Sequence, residues 1–493
     1  MNIDAFEGLP AYPSAARAEI YACGRGLETH AESENGLACE VGFTTEQLLT
    51  MLATLPVFGA EVATDTDAQG KIRARVSYCG HVAHIERKGR YIRVSSETPL
   101  GKTPCAVMQN YHDTEKEAFE EYLRRLQACP GVTVYIKRAG RNVFAQTRLS
   151  DRLIYAYYIE SLHTARIISD PISDDVPDAL SENPEDVSAA VKPCLVQYSL
   201  TYGRMRPGMS ADCGMLYILR LPDNSLFVID GGEREQATDE ALRDIYALMR
   251  ELCRVKHNEK PVIAAWFCTH AHDDHMDVFS KLIRLYHDQM ELERVIFNFP
   301  ARERLELMPQ SYIAALRIRR FYPNALYTKI HTGQEFSLAG VTFECLLTHE
   351  DVFSDDTDNL LNDFNDTSTV LRAVFDDVSV LFLGDINSTA AQKLMSMYPR
   401  QYLKCDAVQV AHHMFNYLPE LYSYLSPAWA LVPASAMDAN PANPRYAAIV
   451  NAVPESNICF ASEKTLIFES KNGRLAVAGE RAHAGGKFDG SAV

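Results

Sequence analysis

Three histidines and three carboxylates fall within eight positions, His270-Ala271-His272-Asp273-Asp274-His275-Met276-Asp277. His270 and His272 are two apart, so in an extended loop both side chains leave on the same side and can hold one metal ion. Asp274 and His275 follow on the next bend, placed for a second ion. Imidazole nitrogen mixed with carboxylate oxygen suits Zn²⁺ first, with Mn or Fe as alternatives. The competing reading is a solvated polar loop whose histidines bind nothing.

Such a loop needs rigid elements to aim it. Val262 to Cys268 is an apolar run with the length of a buried strand, and it empties directly into the histidines. Met215 to Leu221 and Ser225 to Ile229 read as two strands around Pro222-Asp223-Asn224, the second ending in Asp230-Gly231-Gly232. The glycines permit a tight strand-to-loop turn, and Asp230 can hydrogen-bond the metal loop rather than ligate. Leu242, Ile245, Met249 and Leu252 form the stripe of a core-facing helix, and Phe279, Leu282, Ile283 and Tyr286 that of the next. Further on, Val378 to Leu383 is a strand ending in Gly384-Asp385. A carboxylate there can bridge two cations about 3.5–4 Å apart, although Gly-Asp alone is an ordinary turn. Ala407 to Val410 is another short strand, ending in Ala411-His412-His413.

In this order the motifs resemble the metallo-β-lactamase superfamily of metal-dependent hydrolases. The resemblance covers about residues 197–479 and implies an α/β fold, the αββα four-layer sandwich. It implies His270, His272, Asp274, His275, Asp385 and His413 as ligands of two divalent ions, with Asp385 bridging and Asp230 in support. Asp274 would also accept a proton from the attacking water, and His412 would contact the leaving group. Two features resemble the branch that includes the metallohydrolase domain of the ComEC DNA-uptake proteins. The first is the His412-His413 ending, with Met414 and Phe415 where that branch has Gly and Ser. The second is the loop Asn362-Asp363-Phe364-Asn365-Asp366-Thr367-Ser368, where lactamases carry a third histidine. Asn365 or Asp366 is expected near the first metal, held more weakly for want of an imidazole. Ser210-Ala211-Asp212-Cys213 keeps only the Asp of the branch's Gly-Gln-Gly-Asp, and Asn443 stands in place of a His before Pro444. His331 and His349 read as surface histidines flanking the strand Val341 to Leu347.

Residues 1–168 carry no catalytic signature and read as a smaller α+β accessory domain. A helix followed by strands appears in it twice, about 70 residues apart, the pattern of a duplicated module. Residues 169–193, with three prolines and seven acidic residues before Lys192, read as a linker, and the Gly- and Ala-rich residues 480–493 as a flexible tail. The chain has 65 acidic against 48 basic residues, a net charge of -17, which repels long nucleic acid and anionic membranes. Twelve cysteines form no Cys-x-x-Cys pair, no stretch reaches 18 apolar residues, and the acidic N-terminus lacks signal-peptide features. A cytoplasmic location is expected; oligomeric state is not legible.

The expected chemistry follows. Water between two cations loses a proton near neutral pH, and the hydroxide attacks phosphorus or carbonyl carbon. A small phosphodiester is the favoured substrate. A lactone, thioester or β-lactam is the enzymatic alternative, and a metal-binding sensor or scaffold without turnover the non-enzymatic one.

Overall fold

The computed structural model describes residues 8–13, 18–23, 37–42, 45–68, 71–78, 81–88, 91–96, 106–171, 191–200, 214–233, 236–300, 314, 317–353, 364–415, 418–436, 439–461 and 464–481. The Ser210–Cys213 motif, residues 172–190 of the expected linker and the tail from residue 482 lie outside these. The chain divides into two compact units, Met1–Pro177 with Phe353–Asn362, and the remainder.

The first unit holds two antiparallel sheets. Strands β1 (Ala18–Cys23), β2 (Leu37–Gly42), β3 (Glu61–Thr66), β4 (Ile72–Tyr78), β5 (His81–Lys88) and β6 (Tyr91–Ser96) are followed by β7 (Ala106–Tyr111), β8 (Tyr135–Ala139), β9 (Asn142–Leu149), β10 (Arg152–Ile159) and β11 (Thr164–Pro171). One sheet runs β2-β6-β5-β4-β3; the other runs β1-β7-β11-β10-β9-β8. Leaving β1 aside, each has one strand, then a helix, then four strands, in the same spatial order. Helix α1 (Thr45–Thr54) buries Leu48 and Leu52 against Ile72, Ala74, Val76 and Ile85. Helix α2 (Lys116–Gln127) buries Phe119, Tyr122, Leu123 and Leu126 against Val143, Ile154, Tyr158 and Ile167. Strand β11 continues to Pro171, three residues into the segment read as linker, because Ser169 and Asp170 pair with Ile154 and Leu153 of β10.

The second unit holds the other two sheets. Its strands are β12 (Cys194–Gln197), β13 (Tyr217–Arg220), β14 (Leu226–Ile229), β15 (Val262–Cys268), β16 (Glu291–Leu292), β17 (Arg294–Phe297), β18 (Leu326–Lys329), β19 (Glu335–Leu338), β20 (Val341–Leu347), β21 (Val370–Phe375), β22 (Val378–Phe382), β23 (Ala407–Gln409), β24 (Trp429–Val432), β25 (Ile458–Phe460), β26 (Thr465–Ser470) and β27 (Leu475–Arg481). One sheet runs β18-β17-β15-β14-β13-β12-β26-β27, with β16 beside β15; the other runs β19-β20-β21-β22-β23-β24-β25. Each changes from antiparallel to parallel midway. In the first, β14, β15, β17 and β18 are parallel; in the second, β22 to β25.

Strands β13 and β14 are buried at every position, which is why they read as unbroken apolar runs rather than alternating ones. A single apolar core joins the two sheets: Phe227 of β14 stacks on Phe343 of β20 with ring centroids 4.0 Å apart. Helix α3 (Asp239–Leu252) is capped by Thr238, whose hydroxyl accepts the Ala241 N–H, and it buries Leu242, Ile245, Met249 and Leu252. Helix α4 (Asp273–Tyr286) covers β15 from the side away from that core, with Phe279 stacked on Trp266. Among the described residues no helix is long and apolar enough to cross a membrane.

His331 departs from its expected surface position. It is fully buried, and its Nδ1 lies 2.9 Å from Glu350 Oε2. Glu350 is in turn 3.5 Å from the Lys329 ammonium. Burial works against the Glu350 charge, yet the opposed His331 and Lys329 hold its carboxyl well below the usual range. His349 is half-buried.

Candidate metal centre

Four strand ends converge. Asp230 follows β14, Thr269 and His270 follow β15, Gly384 and Asp385 follow β22, and His412 and His413 follow β23. Each pair of strands is parallel, so the loops leave from carboxyl ends on the same side, where open α/β sheets place their sites. A backbone bond from Thr369 N–H to Thr269 O, 2.8 Å long, ties β21 of the second sheet to the metal loop of the first.

Asp230 is wholly buried and serves the loop as a fixed acceptor. Its carboxylate takes the Thr269 N–H at 2.7 Å, the Thr269 hydroxyl at 2.7 Å and His275 Nδ1 at 2.6 Å. Its backbone oxygen accepts the Trp266 indole N–H at 2.9 Å. His275 therefore donates from Nδ1 and turns Nε2 away from Asp230, the arrangement by which carboxylates orient metal-binding imidazoles. His413 is set the same way: its Nδ1 lies 2.8 Å from Pro433 O. The Gly214 N–H also reaches that nitrogen at 3.2 Å. The two contacts demand opposite tautomers, and the shorter one decides, because a lone pair on Nδ1 would repel the carbonyl oxygen.

The two Nε2 atoms then meet, His275 and His413 being 3.2 Å apart. Asp385 Oδ2 lies 3.1 Å from one and 3.2 Å from the other. Asp274 Oδ2 lies 3.2 Å from His413 Nε2, and Asp274 Oδ1 lies 3.8 Å from His275 Nε2. Asp274, His275, Asp385 and His413 thus offer ligand atoms all within 4.8 Å of one another. Asp274 and His275 stand in the first turn of α4, not on a free bend, where the helix N-terminus favours carboxylate.

This group suits a cation on the chemistry of its donors. Of the buried Asp385 carboxylate, Oδ2 faces the two imidazole Nε2 atoms and Oδ1 has no partner among the described residues. Burial opposes the charge on His275, yet Asp385, Asp230 and Asp274 raise its pKa to about 10. Asp385 and Asp274 raise His413 well above the usual histidine range against its burial. Asp385, penalised by burial, is held well below the usual carboxylate range by the two imidazoles. Asp274 is lowered in the same way. In effect, protons on the imidazoles balance a concentrated negative charge, and a divalent ion can replace them.

His270 and His272 form a second, adjoining group. The Thr269 hydroxyl, donating to Asp230, can accept from His270 Nδ1 at 3.1 Å, which leaves His270 Nε2 facing His272 Nδ1 at 3.0 Å. Burial and the neighbouring imidazoles keep His270 well below the ordinary histidine pKa, hence neutral and able to ligate. The His270 ring lies 4.3 Å from that of His275, centroid to centroid. Neither His270 nor His272 belongs to the close four-residue group among the described residues.

Of the loop in place of a third histidine, residues 364–368 are described, and Asn362 and Asp363 lie outside the described residues. Asp366 Oδ1 accepts the Asn387 N–H at 2.7 Å and the Ala390 N–H at 3.3 Å, so it holds the start of helix α5 (Ser388–Met397). Asn365 Nδ2 lies 3.4 Å from His412 Nε2, and His412 Nδ1 lies 2.7 Å from Asn387 Oδ1. His412 is thus placed beside the metal group, with its ring 6.3 Å from that of His413. The turn that separates the two is unusual: His412, His413 and Met414 have φ of 49°, 47° and 69°, three consecutive left-handed residues that are not glycine. Each costs on the order of 1–2 kcal/mol, and such outliers persist where the surroundings over-determine them.

Sequence reading missed Thr269, Asn387 and Gln409. Gln409 is fully buried: its Oε1 accepts the Leu383 and Gly384 N–H groups and its Nε2 donates to Gly384 O and Val410 O. It locks the Asp385 turn to the histidine turn. The available signal was a polar residue closing an apolar strand, which is also an ordinary strand end.

No family model matches the chain, and no curated protein matches it. Among solved structures it is similar to the metallo-beta-lactamase fold protein YhfI from Bacillus subtilis, at 11% identity over 58% of this chain and 100% of that one, with a TM-score of 0.33. It is also similar to Tm1679, a metal-dependent hydrolase of the beta-lactamase superfamily, at 8% identity over 57% and 100% (TM-score 0.31). A third is unliganded yeast PDE1, at 11% identity over 55% and 98% (TM-score 0.32).

Proposed function

We propose that this chain is a metal-dependent hydrolase of the metallo-β-lactamase superfamily, its second unit an αββα four-layer sandwich. Two divalent ions, zinc foremost, would be held by Asp274, His275, Asp385 and His413 on one side and by His270 and His272 on the other. The carrying observation is the convergence of Asp274 and His275 of α4 with Asp385 after β22 and His413 after β23, their nitrogen and oxygen atoms facing one another. Ions bound there would activate water and stabilise an oxyanion.

The protein's own groups supply the rest. Asp230 and Pro433 O keep Nδ1 of His275 and His413 protonated, which commits each Nε2 to the site. Asp274, half-buried where the other three are buried, is the carboxylate placed to take a proton from incoming water. His412, held by Asn387, is the group placed to contact a leaving oxygen. A small phosphodiester is the favoured substrate: the His412-His413 ending and the Asn365 loop resemble the ComEC-like branch, and the net charge of -17 disfavours long nucleic acid.

The test is hydrolysis of bis(p-nitrophenyl) phosphate by chelator-stripped protein resupplied with Zn²⁺ or Mn²⁺. Turnover that requires the ion and vanishes in Asp274→Ala is expected. Bound metal with no turnover of phosphodiesters, lactones or thioesters would leave a binding protein and overturn the reading.

A further inference from the structure

Beyond His412 stands Arg445, a cation whose role the hydrolase reading leaves open. Phe415, two residues after the ligand His413, is half-buried, and its ring lies 5.5 Å from that of His412. The guanidinium carbon of Arg445 lies 5.2 Å from the Phe415 ring centroid. Arg445 stands in the first turn of helix α6 (Pro444–Val450), fixed from below: Asn443 Oδ1 accepts the Arg445 N–H at 3.1 Å, and the Asn443 N–H reaches Asn440 O at 2.7 Å. Asn443, where the resembling branch has a histidine, is therefore the helix cap that aims Arg445. No described carboxylate lies in ion-pair reach of Arg445, although this chain carries 65 acidic residues and its other site-proximal cations are paired histidines.

Three ring contacts thus lead from the metal group to a half-buried guanidinium with its donors uncommitted. An arginine resting on an aromatic face keeps its planar fork free for bidentate anion contact and loses little side-chain freedom in making it. In a protein this acidic, a fixed cation linked by ring contacts to the metal group would favour an anionic substrate there.

We propose that Phe415 and Arg445 form a subsite for a second anionic group of the substrate, a phosphoryl group distinct from the one hydrolysed. The substrate class narrows accordingly, from any small phosphodiester to one that carries a further phosphate. This rests on the hydrolase reading for its chemistry, but the subsite has its own readout.

The experiment compares thymidine 5′-(p-nitrophenyl phosphate) with and without a 3′-phosphate, on full-length protein loaded with Zn²⁺ or Mn²⁺. The two share ring, scissile bond and leaving group. The 3′-phosphorylated ester should show a KM about tenfold lower, the effect of one charge-assisted contact. That ratio should collapse towards one in Arg445→Ala and be partly kept in Arg445→Lys. Arg445→Gln replaces the alanine variant should the latter fail to fold. A ratio near one in the unaltered protein, or a ratio that survives loss of the arginine, overturns the subsite. Calorimetric Kd values are read alongside. If neither ester is cleaved but the 3′-phosphate still tightens binding through Arg445, the phosphodiester preference falls and the subsite stands; if the affinities are equal, both fall.

Discussion

The Nε2 atoms of His275 and His413 stand 3.2 Å apart across 138 residues of sequence. Each has its other ring nitrogen engaged, by the Asp230 carboxylate and by Pro433 O. Both therefore point lone pairs, or added protons, at one small volume that Asp385 and Asp274 also face. Neutral imidazoles would repel one another there, and only cationic charge reconciles the geometry with the burial. The fold imposes this approach, because the first histidine sits on the helix after β15 and the second on the left-handed turn after β23.

Two unequal classes of zinc site are expected. The four-residue group has a full tetrahedral complement, whereas His270 and His272 bring two imidazoles of their own. Calorimetric titration of chelator-stripped protein should show one tight and one weaker equivalent. His413→Ala should abolish the tight class, and His270→Ala should remove only the weaker. Loss of both classes together in His270→Ala would show a single interdependent centre instead.

Asp230→Asn should uncouple support from ligation. The amide keeps the size of the carboxylate, and its oxygen can still accept the Thr269 N–H, but it weakens the hold on His275 Nδ1. A loss of about 10–100-fold in zinc affinity is expected. Leaving a buried donor poorly matched should also cost about 1–3 kcal/mol of folding stability, read by denaturant unfolding. Zinc affinity equal to that of the parent would make Asp230 a purely structural residue.

Legibility in the sequence follows the range of the interaction. The limits of β15, Val262–Cys268, were visible because burial on both faces leaves an unbroken apolar run. The α3 stripe was visible because a helix repeats locally. Asp230 was placed as a support by its position at a strand end. Thr269, Asn387 and Gln409 were not legible, since each acts through partners on other elements and resembles any polar residue in a turn. The part Asp366 plays at the start of α5 was not legible either, because the N–H groups its Oδ1 accepts lie some twenty residues further along. His331 misled because its partner Glu350 lies across a strand and no periodicity links them.

In the metal-free protein, stability should fall on the alkaline side. His275 is raised from an ordinary 6.5 to about 10, its burial outweighed by Asp385, Asp230 and Asp274. A folded-state pKa raised in this way contributes stability that is complete below 6.5 and is lost as pH rises through 10. Asp385 is shifted the other way, so its contribution is present above the ordinary carboxylate range and is lost on acidification. His413, facing Asp385 and Asp274, shifts in the same direction as His275, while His270 stays neutral. The thermal midpoint of stripped protein should decline steadily from about pH 6.5 to 10, while zinc-loaded protein changes much less because the ion replaces the protons. Parallel curves with and without zinc would count against the cluster as the metal site.

The turn after β14 and the ligand helix should prove mechanically coupled through Gly231. A Cβ on Gly231 would stand 2.3 Å from Phe279 Cβ and 2.8 Å from Phe279 N. That approach exists because the Phe279 N–H donates to Gly231 O at 2.9 Å, while the Asp277 and Val278 N–H groups reach Gly232 O at 3.0 and 3.1 Å. Helix α4 hangs on these bonds, and its first turn carries Asp274 and His275. Gly231→Ala must push the helix outward by a sizeable fraction of an ångström, since Trp266 stacked on Phe279 leaves little slack. A loss of about 2–3 kcal/mol is expected from overpacking of this kind. Zinc affinity should fall with it, because the ligands on α4 move while Asp385 and His413 do not. Gly473→Ala serves as the control: its φ is +69° but its Cβ would meet nothing nearer than Asp377 Cβ at 3.9 Å. That substitution should cost about 1 kcal/mol through backbone strain alone and leave the zinc titration unchanged. A Gly231→Ala protein that binds zinc as tightly as its parent would show that α4 can shift without disturbing the site, and the strand-end turn would then be a packing feature only.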